Sequence, residues 1–150
     1  MPNVRIIRLL SAAWLLAVAL PLATATAGEQ SAVVYVQSLY AAEEPQSKAR
    51  YSPRLDKLWA ECYRTEKELG YVCLDFDMFV MGQDAELSNL KIEQQSGNAN
   101  KAVVQAKFKN FGKEHTVTFD LSHDATGWMI DEMRSGCYIL SELLQDQSNC

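Results

Sequence analysis

SNLKIEQQSGNANKAVVQAKFKNFGKEHTVTFDLSHDATGWMIDEMR, Ser88 to Arg134, decides the fold. Turn formers cluster at three places within it: Ser96-Gly97-Asn98-Ala99-Asn100, Asn110-Phe111-Gly112-Lys113 and Asp124-Ala125-Thr126-Gly127. Between them the residues alternate. Val104, Ala106 and Phe108 share one face while Gln105, Lys107 and Lys109 take the other; Val117, Phe119 and Leu121 alternate with Thr116, Thr118, Asp120 and Ser122. Trp128 and Ile130, flanked by Met129 and Met133, continue the pattern. A period of two means a strand with one packed and one wet face, so the stretch predicts a meander of four antiparallel strands. Strands of about ten residues reach ~30 Å, long enough for the sheet to twist and curl around a helix.

Helices are expected on either side. Pro53 suits a first helical position after the N-cap candidate Ser52. Leu55, Leu58, Trp59, Cys62 and Leu69 mark one face with Tyr63 at its margin, and Gly70 supplies the stop. The charges from Asp56 to Glu68 fall mostly on the opposite, solvated side. Gln30 to Ala42 mixes strand propensity at Val33–Val36 with helical spacing of Val33, Val36, Gln37 and Tyr40, and leans to a helix ending before Pro45. Glu44 to Tyr51 reads as a polar loop. Tyr71 to Glu86 reads as irregular, its Phe76, Met78, Phe79, Val80 and Met81 plugging one end of the core. Tyr138, Leu140, Leu143 and Leu144 suggest a short C-terminal helix. The expected class is therefore α+β: a curved four-stranded antiparallel sheet with N-terminal helices on its concave face.

The first residues read as an export signal. Arg5 and Arg8 precede an uncharged Leu/Ala-rich run from Leu9 to Leu22, Pro21 breaks it, and Ala25-Thr26-Ala27 offers small residues to a signal peptidase. Residues 1–27 are assigned to the signal and 28–150 to one domain, which locates the protein in the periplasm with no membrane segment after cleavage. Of the 14 Lys and Arg, removing Arg5 and Arg8 leaves 12 against 19 Asp and Glu, a balance of −7. An acidic chain without a basic arm lacks what nucleic acid requires. Cys62, Cys73, Cys137 and Cys150 make an even count in an exported domain and read as two disulfides. Four cysteines allow three pairings; Cys62–Cys73 with Cys137–Cys150 closes two short loops and is preferred. Their spacing lacks the C-x-x-C of redox and zinc sites.

Asp75-Phe76-Asp77 with Gly82-Gln83-Asp84, Leu90-Lys91-Ile92, Val104–Phe108 and Gly127–Asp131 resembles a bacterial family of exported proteins. The family is catalogued as domain of unknown function 3828, in the nuclear-transport-factor-2-like (cystatin-like) group. The resemblance covers about Val33 to Leu144. It implies N-terminal helices packed into the concave side of a curved sheet, makes Gln30–Ala42 helical, and implies no reaction. Many members look lipid-anchored, whereas this sequence has no cysteine near its cleavage point.

Candidate functional residues fall in four groups. Asp75, Asp77, Gln83 and Asp84, with Asp131 across a cavity mouth, form a candidate binding loop; the plainer reading of the aspartates is capping of local backbone. They lack the spacing of a calcium loop, so no metal or cofactor is assigned. Trp59, Phe108, Phe119 and Trp128 are candidate lining for a cone between helix and sheet. His115 and His123 stand eight residues apart on one strand, ~26 Å, too far to share a metal. Lys91, Lys101, Lys107, Lys109 and Lys113 form a basic patch, read as edge protection or as a landing site for an anionic partner. No nucleophile elbow, phosphate loop, H-E-x-x-H or C-x-x-C-H occurs. The leading expectation is a non-enzymatic module binding an envelope protein, as small inhibitor or immunity proteins do. The alternative is a carrier of a small apolar ligand in the cone, and the third an isomerase- or hydrolase-like enzyme on Asp131 or His115.

Overall fold

A computed structural model describes residues 31–70 and 72–145 of the 150. The signal segment and Cys150 lie outside the described residues. The meander is present: β1 (Leu87–Gly97), β2 (Lys101–Asn110), β3 (Lys113–Asp124) and β4 (Gly127–Ser135) pair antiparallel in chain order. The turns fall where the sequence predicts them. Gly97 must lack a side chain, since a Cβ there would sit 2.7 Å from the Lys101 carbonyl oxygen. The sheet has one strand more than expected. Tyr138–Ile139 pairs with β4 as a two-residue β5, so the C-terminal helix α4 begins only at Leu140 (Leu140–Leu143) and Tyr138 is outside it.

α1 (Ala32–Tyr40) is capped by Ser31, whose hydroxyl accepts from the Val34 N–H, and packs over β1 and β2. The expected polar loop instead holds a single helical turn, α2 (Pro45–Lys48), with Pro45 at its first position. α3 (Pro53–Leu69) buries Leu55, Trp59 and Cys62 and ends at Gly70, whose φ of 76° is the left-handed C-cap geometry glycine adopts without strain. Leu69 departs from expectation: at the last position of the helix it is exposed. Ser52 is buried, and its side chain makes no cap bond. Its N–H instead donates to the Ile130 carbonyl (2.9 Å) while the Ile130 N–H donates to Arg50 (2.8 Å). This short parallel bridge between Tyr51 and Ile130 pins the start of α3 to β4.

The inward face of the sheet is as the alternation predicts. Ala102, Val104, Ala106, Phe108, Val117, Phe119 and Leu121 are all buried. Met78, Phe79 and Val80 plug the core from the irregular segment. That plug is held by a side chain the sequence reading passed over, the buried Asn110. Its amide donates to the carbonyls of Val80 (3.0 Å) and Asp84 (2.9 Å), and its oxygen accepts from the Glu86 N–H (2.7 Å). Cys62 and Cys73 form the expected disulfide between α3 and this segment. Cys137 is also disulfide-bonded; the pairing assigned to it falls on Cys150, outside the described residues.

Candidate functional site

The four cone residues are core residues. Phe119 is fully buried, Phe108, Trp59 and Trp128 nearly so, and Phe108 and Phe119 are met by Tyr40 and Phe79 rather than by empty space. Tyr40 places its ring 5.9–6.2 Å from Phe79, Phe108 and Phe119, and its hydroxyl donates to the Phe79 carbonyl (2.9 Å). Phe108, Phe119 and Trp128 line neither the cleft beside Trp59, nor the groove around Asp131, nor the cleft beside His115.

The candidate binding loop is also not one cluster. Asp77 turns inward: its carboxylate accepts from the Phe79 N–H (2.7 Å), the capping role open to it from sequence. Gln83 donates to the Asp75 carbonyl (3.0 Å), while the side chains of Asp75 and Asp84 are exposed. Asp131 lies apart from them, in a groove with Lys101, Asp120 and Arg134. It occupies a bulge: β3 pairs Asp120 with Glu132 and Leu121 with Ile130, leaving Asp131 as the extra residue. Its carboxylate accepts from Ser122 and Lys101, both at 2.8 Å. Every acid in this groove is neutralised, with Glu132 held by Arg54 (3.0 Å) and Asp120 by Arg134 (2.6 Å). His115 lines a different cleft, its ring stacked 5.7 Å from Phe108; burial, then Lys113, hold its pKa below the usual value. Asp131 and His115 therefore share no cleft. Of the lysine patch, Lys91, Lys101 and Lys109 are paired to Glu93, Asp131 and Glu114. Lys107 and Lys109 stand on β2, an interior strand, so they guard no edge.

Of the predicted residues, Trp59 and Asp77 are brought together, with partners not singled out from sequence. They line a cleft of about 580 Å³ closed on one side by Glu43–Ser47. Asp56, Trp59 and Tyr63 stand at i, i+3 and i+7 on α3, one stripe of the helix surface. Tyr51 joins them, its backbone fixed by the bridge to Ile130. The rings form a continuous wall: Trp59 stacks on Tyr63 with centroids 5.4 Å apart and planes at 21°, and Tyr51 meets Trp59 at 5.9 Å. Gln46 donates to the Tyr63 hydroxyl across the cleft (3.4 Å).

The electrostatics of this cleft are one-sided. Glu43, Glu44, Asp56 and Asp77 line it, with no Lys or Arg. None of the four makes an ion pair among the described residues. Burial raises the Asp77 pKa against the lowering effect of its bond from Phe79. The Tyr51 phenol is pushed up by burial first and by Asp77 second. Trp59 is only 7% exposed, and its buried indole N–H has no acceptor among the described residues, an unusual state for a buried donor. Among the described residues no group of three or more His, Cys, Asp or Glu is placed to hold a metal ion.

No family model matches the chain, and no curated protein matches it. Among solved structures, a phospholipid-binding protein from Ralstonia solanacearum, determined in complex with a phospholipid, aligns with a TM-score of 0.36 and 11% identity. The alignment covers 75% of this chain and 58% of that one. At this TM-score the likeness carries no functional argument. No helix among the described residues is long and apolar enough to cross a membrane.

Proposed function

We propose that the protein is an exported, non-enzymatic binding module whose ligand is a small molecule seated against Tyr51, Trp59 and Tyr63. One observation carries this reading: an aromatic-walled cleft, of a volume suited to a small ligand, built on a helix pinned to the sheet. It moves the carrier reading from the cone, which Tyr40 and Phe79 fill, to the cleft between α3 and Glu43–Ser47. The disulfides suit an oxidising compartment, the periplasm if the N-terminal segment is a signal. An envelope protein partner at Asp75–Asp84 is the weaker reading, because Asp77, Gln83 and the Asp84 carbonyl are engaged within the fold. An enzymatic reading on Asp131 or on His115 has less support: the Asp131 carboxylate is engaged by Lys101 and Ser122, and the His115 ring is stacked on Phe108.

Native recovery of the exported protein, with mass spectrometry of whatever accompanies it, tests this. The expected result is a small molecule that accompanies the wild type and is depleted in Tyr63→Ala, a change at a half-exposed ring. A stoichiometric protein companion that Tyr63→Ala does not affect would contradict the proposal.

A further inference from the structure

We infer that the ligand of this cleft is an organic cation of the quaternary ammonium class, its alkylated nitrogen against the Tyr51–Trp59–Tyr63 wall. This deepens the proposed function and rests on its choice of cleft. The argument begins with what is unbalanced. In the groove around Asp131 each acid has its own Lys or Arg; in the aromatic cleft four carboxylates have none. An acidic cluster alone has the bland explanation of a solvated face. Here the acids surround stacked rings, and one of them, Asp77, is withdrawn from solvent at the base of the plug segment.

Those two features select the same chemistry. Aromatic faces carry negative quadrupole potential and attract a cation placed over them, most strongly when water is excluded. Carboxylates at the rim add attraction of the same sign. A metal ion would need converging oxygen ligands, which the described residues do not assemble. An anion would meet four like charges. A neutral apolar ligand would use the rings and leave the carboxylates without purpose. A soft, alkylated cation uses both, and it asks for few hydrogen bonds in return. The unpartnered Trp59 N–H offers a donor to a hydroxyl or ester oxygen on the same ligand, provided the ring moves enough to expose it.

The test compares choline with its neutral carbon isostere, 3,3-dimethylbutan-1-ol, at constant ionic strength, read by tryptophan fluorescence and calorimetry. Choline is expected to bind about tenfold more tightly, the size of a partly desolvated cation–π contact. Trp59→Phe should remove the fluorescence change and Trp128→Phe should keep it. Asp77→Asn retains an oxygen for the Phe79 N–H but removes the charge, and should narrow the preference for choline, as should Asp56→Asn on the exposed rim. Equal or tighter binding of the isostere overturns the cation assignment while leaving the cleft as ligand seat. No response of Trp59 to either probe overturns both. Phosphatidylcholine vesicles distinguish two sources of the group. Co-flotation competed by free choline assigns a lipid headgroup, and choline binding without co-flotation assigns a free ligand; either supports the inference.

Discussion

Asp77 does two things that pull against each other. Its carboxylate caps the Phe79 N–H, which favours the charged form, and it is half-buried, which disfavours it; burial wins and the pKa rises above the ordinary 3.8. The sign for stability follows. Between 3.8 and the raised value the folded state holds more protons than the unfolded one, so stability falls as pH rises through that window and stays lower above it. Asp77→Asn keeps the cap without the ionisation. In chemical unfolding from acid to neutral pH, the wild type should therefore lose stability relative to Asp77→Asn on the way up and run parallel to it thereafter. A difference that grew toward low pH would show that the carboxylate is stabilised by the fold rather than penalised by it. Nothing in the sequence distinguishes Asp77 from Asp75. Both sit among apolar residues, unlike Asp84 in its polar run, and only the closure of the loop back on Gly82 decides which one turns inward.

At the scale of elements, the meander was legible because its period-2 alternation survives almost unbroken on β2 and β3, where register is regular. It weakens where a bulge intervenes. On β4 the inward residues are Trp128 and Ile130 before Asp131, and Met133 and Ser135 after it. One extra residue changes the parity, which is why Met133 looked like a flanking residue and Asp131 looked free to face a cavity. The β2–β3 turn carries a different anomaly. Phe111 and Gly112 have φ values of 47° and 77°, the double left-handed geometry of a two-residue hairpin that favours Asn-Gly. Phe111 pays for that position with backbone strain and is 61% exposed. Phe111→Asn is expected to raise stability by about 1 kcal/mol, measured as the shift in urea midpoint at constant slope. A loss of stability would mean that the exposed ring makes a contact worth more than the strain.

For the whole molecule, the fold could be read and the site could not, for one physical reason. Alternation and turn residues are local, and they placed β1 to β4 and α3, while α1 carried strand propensity as well as helical spacing and the two-residue β5 gave no pattern to read. The cleft is assembled from Glu43–Ser47, Tyr51, one stripe of α3 and Asp77, segments that meet only after α3 docks on β4 and the Cys62–Cys73 bond draws the plug back. A weak signal was present: Asp56, Trp59 and Tyr63 follow helical spacing beside the buried stripe, with Tyr63 too exposed for core. The cone had a better sequence signal and no space, since Tyr40 and Phe79 occupy it.

The two tryptophans among the described residues report on these two places separately. Trp59 lines the cleft, and Trp128 is buried beside His123 at a centroid distance of 4.9 Å. The measurement that bears most directly on the account is a proton–nitrogen correlation spectrum of the indole N–H signals during titration with choline. The account predicts that the Trp59 signal moves, along with the backbone signals of Tyr51 and Tyr63, while the Trp128 signal stays in place. Movement of Trp128 with the amides of Phe108 and Phe119, and a stationary Trp59, would contradict it and return the ligand to the interior.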